Sequence, residues 1–225
     1  MTLQPIAKDL WTTEHSLRIA GLPIGTRTSV VRLGDGSLLL HSPGPLDPAA
    51  KSALEALGPV RALVAPNALH HFYVEENARA FPEARIYGAP GVAAKQPGVH
   101  FHEELGDTPP EAWSADLDQL LVRGAPGVGE VVFLHRPSRT LLLTDLAFNV
   151  CHSDSAFMRF FMRLNGGYGR FGPTRMLKSR FRDRAAVRAS VERILAWDFD
   201  RVSVTHGEIL GTGGREALRD AFAGI

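Results

Sequence analysis

Several apolar runs in this chain stop at residues that can hold a metal ion or move a proton. His41 follows "SLLL", His70 and His71 come after "ALVAP", Asp145 follows "TLLLT" and His206 follows "RVSVT". A metal site needs deprotonated nitrogen or oxygen donors from several segments aimed at one spot. The imidazoles of His70, His71 and His206 with the Asp145 carboxylate make a full tetrahedral set, or one with room for water around a five- or six-coordinate ion. Such donors suit Zn²⁺, and equally Fe²⁺, Mn²⁺ or Ni²⁺. Each residue alone has a plainer reading. A histidine near a strand end usually caps the strand or sits at the surface, and an aspartate there is usually an N-cap or turn former. Adjacent histidines point apart unless they lie on a turn or a helix start. The metal reading therefore rests on the ordered set.

The elements that must position these residues are legible as strands and helices. "TRTSVVRLGDGSLLLHSPG" holds Gly34-Asp35-Gly36 between two apolar runs, a hairpin signal. "DPAAKSALEALG" reads as a helix, with Asp47 as N-cap, Pro48 just inside and Gly58 just beyond. "VRALVAP" reads as a strand buried on both faces, "YVEENARAFP" as a helix stopped by Pro82, and "ARIYGAPG" as a further strand. Residues 95–129 carry a weaker pattern rich in Pro and Gly, with short apolar pieces at "VHFHEEL" and "LDQLLVRG". "GEVVFLHRPSRTLLLTDLAFN" predicts two strands around a turn at Arg136-Pro137-Ser138. "AAVRASVERILA" predicts a helix with Val187, Val191, Ile194 and Leu195 on one stripe. "DRVSVTHGEIL" is a last buried strand, followed by a short helix at "GREALRDAFAG". The layout implies sheets covered by helices, where strand ends converge on one edge.

Bulk properties narrow the function classes. With 225 residues and 44% apolar content the chain can bury a sizeable core. A formal charge of +1 gives no global basic field, so nucleic acid is not an expected partner. Cys151 is the only cysteine, which rules out an intrachain disulfide and fits a reducing compartment. The N-terminal stretch lacks a basic region followed by an apolar one, and no apolar run approaches the roughly 20 residues of a membrane helix. A cytoplasmic protein without a membrane span is the expectation. The oligomeric state stays open.

The strand-end residues fall in the order found in the metallo-β-lactamase superfamily. "LLLHSPG", "APNALHH", "GAPGVGEVVFLHRPSRTLLLTDL" and "VSVTHGEI" resemble its successive motifs over roughly residues 25–215. More narrowly, "RLGDGSLLLHSPGP", "LGPVRALVAPNALHHF", "EVVFLHRPSRTLLLTDLAFN" and "WDFDRVSVTHGE" look like a domain-of-unknown-function family within it. The resemblance implies one domain over residues 1–225 with an αββα sandwich and a metal cleft. It also exposes departures. Pro66, Ala68 and Pro126 stand where the three histidines of the superfamily's first metal site belong. The second site becomes His70, His71 and His206, with Asp145 at the position of the bridging aspartate. One site is lost entire while the other keeps ligand-competent residues, which implies a single divalent ion, with Zn or Fe first among the choices. His41 takes the place of an aspartate behind the ligands, where it could support a ligand, bind the ion or relay protons. Glu130 and His152 rank below these as further site residues, and His100, His102 and His135 are read as surface or strand residues.

Residues 157–184, "FMRFFMRLNGGYGRFGPTRMLKSRFRDR", interleave Arg and Lys with aromatics, within a segment of about 151–184 that reads as an insertion or lid. One reading is a lid that holds an anionic small-molecule substrate through Arg170, Arg175 or Lys178. The others are membrane-surface association, single-stranded nucleic acid, or an amphipathic helix packed on the body with solvated arginines. The leading expectation is a single-metal hydrolase of an ester, thioester or lactone, with Asp145 and His41 in the chemistry. The alternatives are a non-catalytic binding protein of the same fold and a redox enzyme using the same ion.

Overall fold

The computed structural model describes residues 2–19 and 22–225. Its first sheet runs β1 (Gln4–Ala7), β2 (Leu10–Ile19), β3 (Leu22–Arg32), β4 (Leu38–His41), β5 (Val60–Ala65), β6 (Arg85–Gly88) and β7 (Glu103–Glu104), in that spatial order. β1 to β4 pair antiparallel, and β4 to β7 pair parallel. The second sheet contains β8 (Leu117–Leu121), β9 (Val131–His135), β10 (Thr140–Leu143) and β11 (Arg201–Val204), ordered β11-β10-β9-β8. β10 and β11 are parallel; the other pairs are antiparallel.

The alternation of side chains along a strand explains how the sheets stack. On β9, Val131 and Phe133 enter the core shared with the first sheet, among Leu40, Leu63 and Trp113. Val132 and Leu134 turn the other way, toward the helices α5 (Arg184–Leu195) and α6 (Gly214–Phe222). On β10, Leu142 joins the first core while Leu141 and Leu143 join the second. Helices α1 (Pro48–Leu57) and α2 (Val74–Ala80) belong to the first sheet. In α1 the Asp47 side chain accepts the Ala50 N–H at 2.7 Å, and the Gly58 N–H closes the helix on the Leu54 carbonyl at 3.1 Å. Two short helices, α3 (Ala156–Leu164) and α4 (Arg175–Lys178), fill the basic segment.

One expected stripe shifts. The buried face of α5 is Val187, Ser190, Val191 and Ile194, and Leu195 is only half-buried. The i, i+3, i+4, i+7 pattern from Val187 closes without Leu195. Ser190 fits this apolar face because its hydroxyl is satisfied, donating to the Ala186 carbonyl and accepting from the Arg123 N–H. No helix among the described residues is long and apolar enough to cross a membrane.

Candidate metal centre

β5 is buried from Ala62 until Pro66 ends it, and the turn that follows is organised by Asn67. Asn67 is fully buried, and its Oδ1 accepts the N–H groups of Leu69 at 2.7 Å and His70 at 3.0 Å. This Asx turn aims His70 inward. The Nδ2 of Asn67 donates to Asp145 Oδ2 at 2.7 Å and Thr144 Oγ1 at 2.8 Å, joining the two sheets at the site. The Pro66 carbonyl accepts the Val131 N–H at 2.8 Å, so backbone pairing ties this turn to β9.

Asp145 sits just past the end of β10. Its position is set by Glu130, whose buried carboxylate accepts the N–H groups of Thr144, Asp145 and Leu146, each at 2.7 Å. Burial, with the nearby Asp145 charge, pushes the Glu130 carboxyl up to about 7 against the pull of its N–H partners.

His206 follows β11. Its Nδ1–H donates to the Gly25 carbonyl at 2.7 Å, which leaves Nε2 for the site. Phe148 stacks on the ring at 5.1 Å with the planes 11° apart. The next residue must be glycine: Gly207 has φ +103°, and a Cβ there would lie 2.1 Å from the Asn149 carbonyl oxygen. Arg27 of β3 is buried and donates to the Val204 carbonyl and, at 2.8 Å, to the Gly207 carbonyl, bracketing the turn that presents His206.

Three ligand groups thus meet. His70 Nε2 lies 3.3 Å from Asp145 Oδ2 and His206 Nε2 lies 3.6 Å from Asp145 Oδ1. One donor atom from each of the three falls within 4.8 Å of the others, and all three side chains are buried. Two donors each about 2.1 Å from one ion stand about 3.4 Å apart in a tetrahedral arrangement. The two His–Asp separations, each to its own carboxylate oxygen, lie near that value. Ser42 Oγ lies 2.9 Å from His70 Nδ1, so both imidazoles are oriented through their outer nitrogen, as ligand histidines commonly are. Burial alone raises the Asp145 carboxyl, but His70 and His206 outweigh it and hold it well below the usual carboxylate range. Burial lowers the His206 imidazole, and Asp145 more than compensates, so it ends above its ordinary value. The carboxylate is therefore present as an anionic donor.

The other expected site residues lie elsewhere. His71 is outside this group of three; its Nδ1 is 2.9 Å from Gln96 Nε2 and its ring packs beside Phe72 at 4.7 Å. Consecutive residues leaving the same turn diverge. His41 ends β4, buried edge-on against Phe133 at 5.2 Å, and its Nδ1 has no hydrogen-bond partner among the described residues. Burial, then the neighbouring His70, pushes its imidazole down to about 3. His152 is exposed and pairs with Glu208 at 2.5 Å. Arg170 and Arg175 are exposed, Lys178 is half-buried, and Arg175 Nη1 donates to the Leu164 carbonyl at 3.1 Å. Asn67 and Ser42, which orient the ligand groups, were not singled out from sequence. The Pro66-Asn67 pair is a turn signal that could have marked the first of them.

His41 carries a pH prediction. Its folded-state value lies below the ordinary histidine value, so the unfolded chain takes up its proton first as pH falls. Stability is then complete above about pH 6.5 and is lost between about pH 6.5 and 3. From pH 7.5 to 5 the protein is expected to lose about 2 kcal/mol more than His41→Leu does. Urea melts at both pH values measure the difference, and parallel curves for the two proteins would contradict it.

Two helix-covered sheets with a buried His-Asp-His group where β5, β10 and β11 end define the αββα sandwich of the metallo-β-lactamase type. Solved structures of that fold align along nearly the whole chain. A metallo-β-lactamase from Pontibacter korlensis matches with a TM-score of 0.66 and 10% identity, covering 100% of this chain and 99% of that one. FIM-1 from Pseudomonas aeruginosa, in its mono-zinc form, gives 0.67 and 14%, covering 99% and 94%. A metallo-β-lactamase from Erythrobacter litoralis, with β-mercaptoethanol in its active site, gives 0.68 and 16%, covering 99% and 96%. At such identities the likeness is one of fold. The family model described as domain of unknown function (DUF4336) matches residues 7–162, and the chain belongs to that family. A search of curated proteins finds no match.

Proposed function

We propose that this chain is a metal-dependent hydrolase in which one divalent transition metal ion is held by His70, Asp145 and His206. The observation that carries this is the convergence of these three buried donors at distances one ion can bridge. Such an ion, when bound, supplies Lewis acidity and draws the pKa of a water toward neutrality, which suits attack on an ester, thioester or lactone carbonyl. The chain's own groups prepare the site. Asp145 contributes the negative charge, Ser42 and the Gly25 carbonyl fix the two imidazoles, and Glu130 and Asn67 hold the Asp145 strand end. His41, pushed down to about 3, stays neutral at neutral pH and is a poor match for a general base. The single ion removes the two-metal clamp that favours phosphodiester cleavage.

A second reading follows from the donor set itself. Two histidines and one carboxylate are also the ligands of non-haem iron oxygenases. Metal analysis of tag-free protein, purified without added metal, tests both. About one equivalent of ion is expected. Zinc with hydrolysis of a panel of acyl substrates supports the hydrolase, whereas iron with dioxygen uptake supports the second reading. Less than about a tenth of an equivalent, with no uptake on reconstitution, would end the metal proposal altogether.

A further inference from the structure

We infer that the face formed by α3 and α4 docks on an anionic lipid bilayer. On α3, Phe157, Phe160 and Leu164 stand one turn apart along the helix and are 62%, 63% and 59% exposed; Met176 of α4 adds a fourth apolar side chain at 53%. The opposite stripe, Met158 and Met162, is buried and anchors the helix to the body. An apolar stripe left in water along a whole helix marks an interaction surface. Its borders are basic. Arg159 Nη1 donates to the Ser153 carbonyl, the Arg163 guanidinium lies 4.5 Å above the Tyr168 ring, and Arg175 lies at the Leu164 end.

The charge distribution selects the occupant. Residues 155–182 contain seven Arg and Lys and no Asp or Glu. The rest of the chain then has 18 basic against 24 acidic residues, so a body of formal charge −6 carries a segment of +7 that includes α3 and α4. Such an asymmetry orients the basic face toward an anionic surface. A second copy would set the arginines bordering this face against themselves, which disfavours self-association through it. Nucleic acid uses aromatic rings to stack bases, but half of this patch is Leu164 and Met176, which have no ring. A bilayer meets both demands, with the apolar tips at the acyl boundary and the arginines at lipid phosphates.

The test is co-sedimentation of the full chain with vesicles of phosphatidylcholine and phosphatidylglycerol in equal parts. Binding is expected at low salt, falling as salt rises, with none to pure phosphatidylcholine. The double variant Phe157→Ser/Phe160→Ser is expected to lower partitioning at least ~10-fold, and Arg163→Glu/Arg175→Glu likewise. Both pairs are solvent-exposed, so folding is checked simply by unchanged circular dichroism. No sedimentation with the anionic vesicles overturns the inference. So does a Phe double variant that binds like wild type, which would mean electrostatic adsorption alone. A dimer in light scattering that the Phe variant dissolves assigns the face to a second copy, and retention on polyglutamate without vesicle binding assigns it to an acidic protein; either result also overturns it.

Discussion

Asp145→Ala is expected to cost at least ~100-fold in metal affinity, while His71→Ala retains affinity within about three-fold. The asymmetry follows from geometry. Asp145 is the one anionic donor in the group, and each of its oxygens faces a different imidazole, at 3.3 Å and 3.6 Å. Removing it leaves two neutral nitrogens, which hold a divalent cation poorly in a buried site. Even the partners that merely orient a ligand typically contribute 10–100-fold, so a ligand's own loss is expected to reach the upper end or beyond. His71 is engaged with Gln96 and stands outside the group. Competition with a chromogenic chelator measures both variants. Equal losses for the two would place His71 among the ligands and sink the three-donor reading.

The second large effect is on stability. Glu130→Ala is expected to destabilise the fold by about 3–9 kcal/mol, because three buried N–H groups lose their acceptor and each costs about 1–3 kcal/mol unpaired. For a chain of this length that corresponds to a drop in Tm of about 10 °C or more. Glu130→Gln keeps one acceptor oxygen but presents an amide NH₂ to the remaining donors, so its loss is expected to be smaller yet measurable. The Glu130→Ala site also loses the hold on the Asp145 backbone, and metal affinity is expected to fall about 10–100-fold with it. Thermal melts of the apo-protein and chelator competition separate the two consequences. A Glu130→Ala protein within about 1 kcal/mol of wild type would mean that water takes over the three donors.

Much of the fold is legible because local chemistry and tertiary packing agree. The LLL runs of β4 and β10 are buried on both faces, and Asp47, Pro48 and Gly58 bound α1 by ordinary capping. The site is legible only as far as strand ends go. Which of two adjacent histidines turns inward depends on the Asn67 turn, and periodicity carries no information about that. Arg27 lies in "TRTSVV", where alternation says little about its reach, yet it binds carbonyls 177 and 180 residues away. On α3 the sequence shows two apolar stripes, and helical period does not say which one meets the body. The structure buries the methionines and leaves Phe157 and Phe160 outside.

The bond from His206 to Gly25 couples one of the three proposed donors to a hairpin that contributes none of them. β2 and β3 pair over ten residues, so a tilt of that ribbon moves the Gly25 carbonyl as a rigid lever moves its tip. The lever turns one imidazole relative to the other two donors. Under the metal-dependent reading, substitutions in the N-terminal ribbon are expected to retune ion preference while His70, Asp145 and His206 all stay in the sequence.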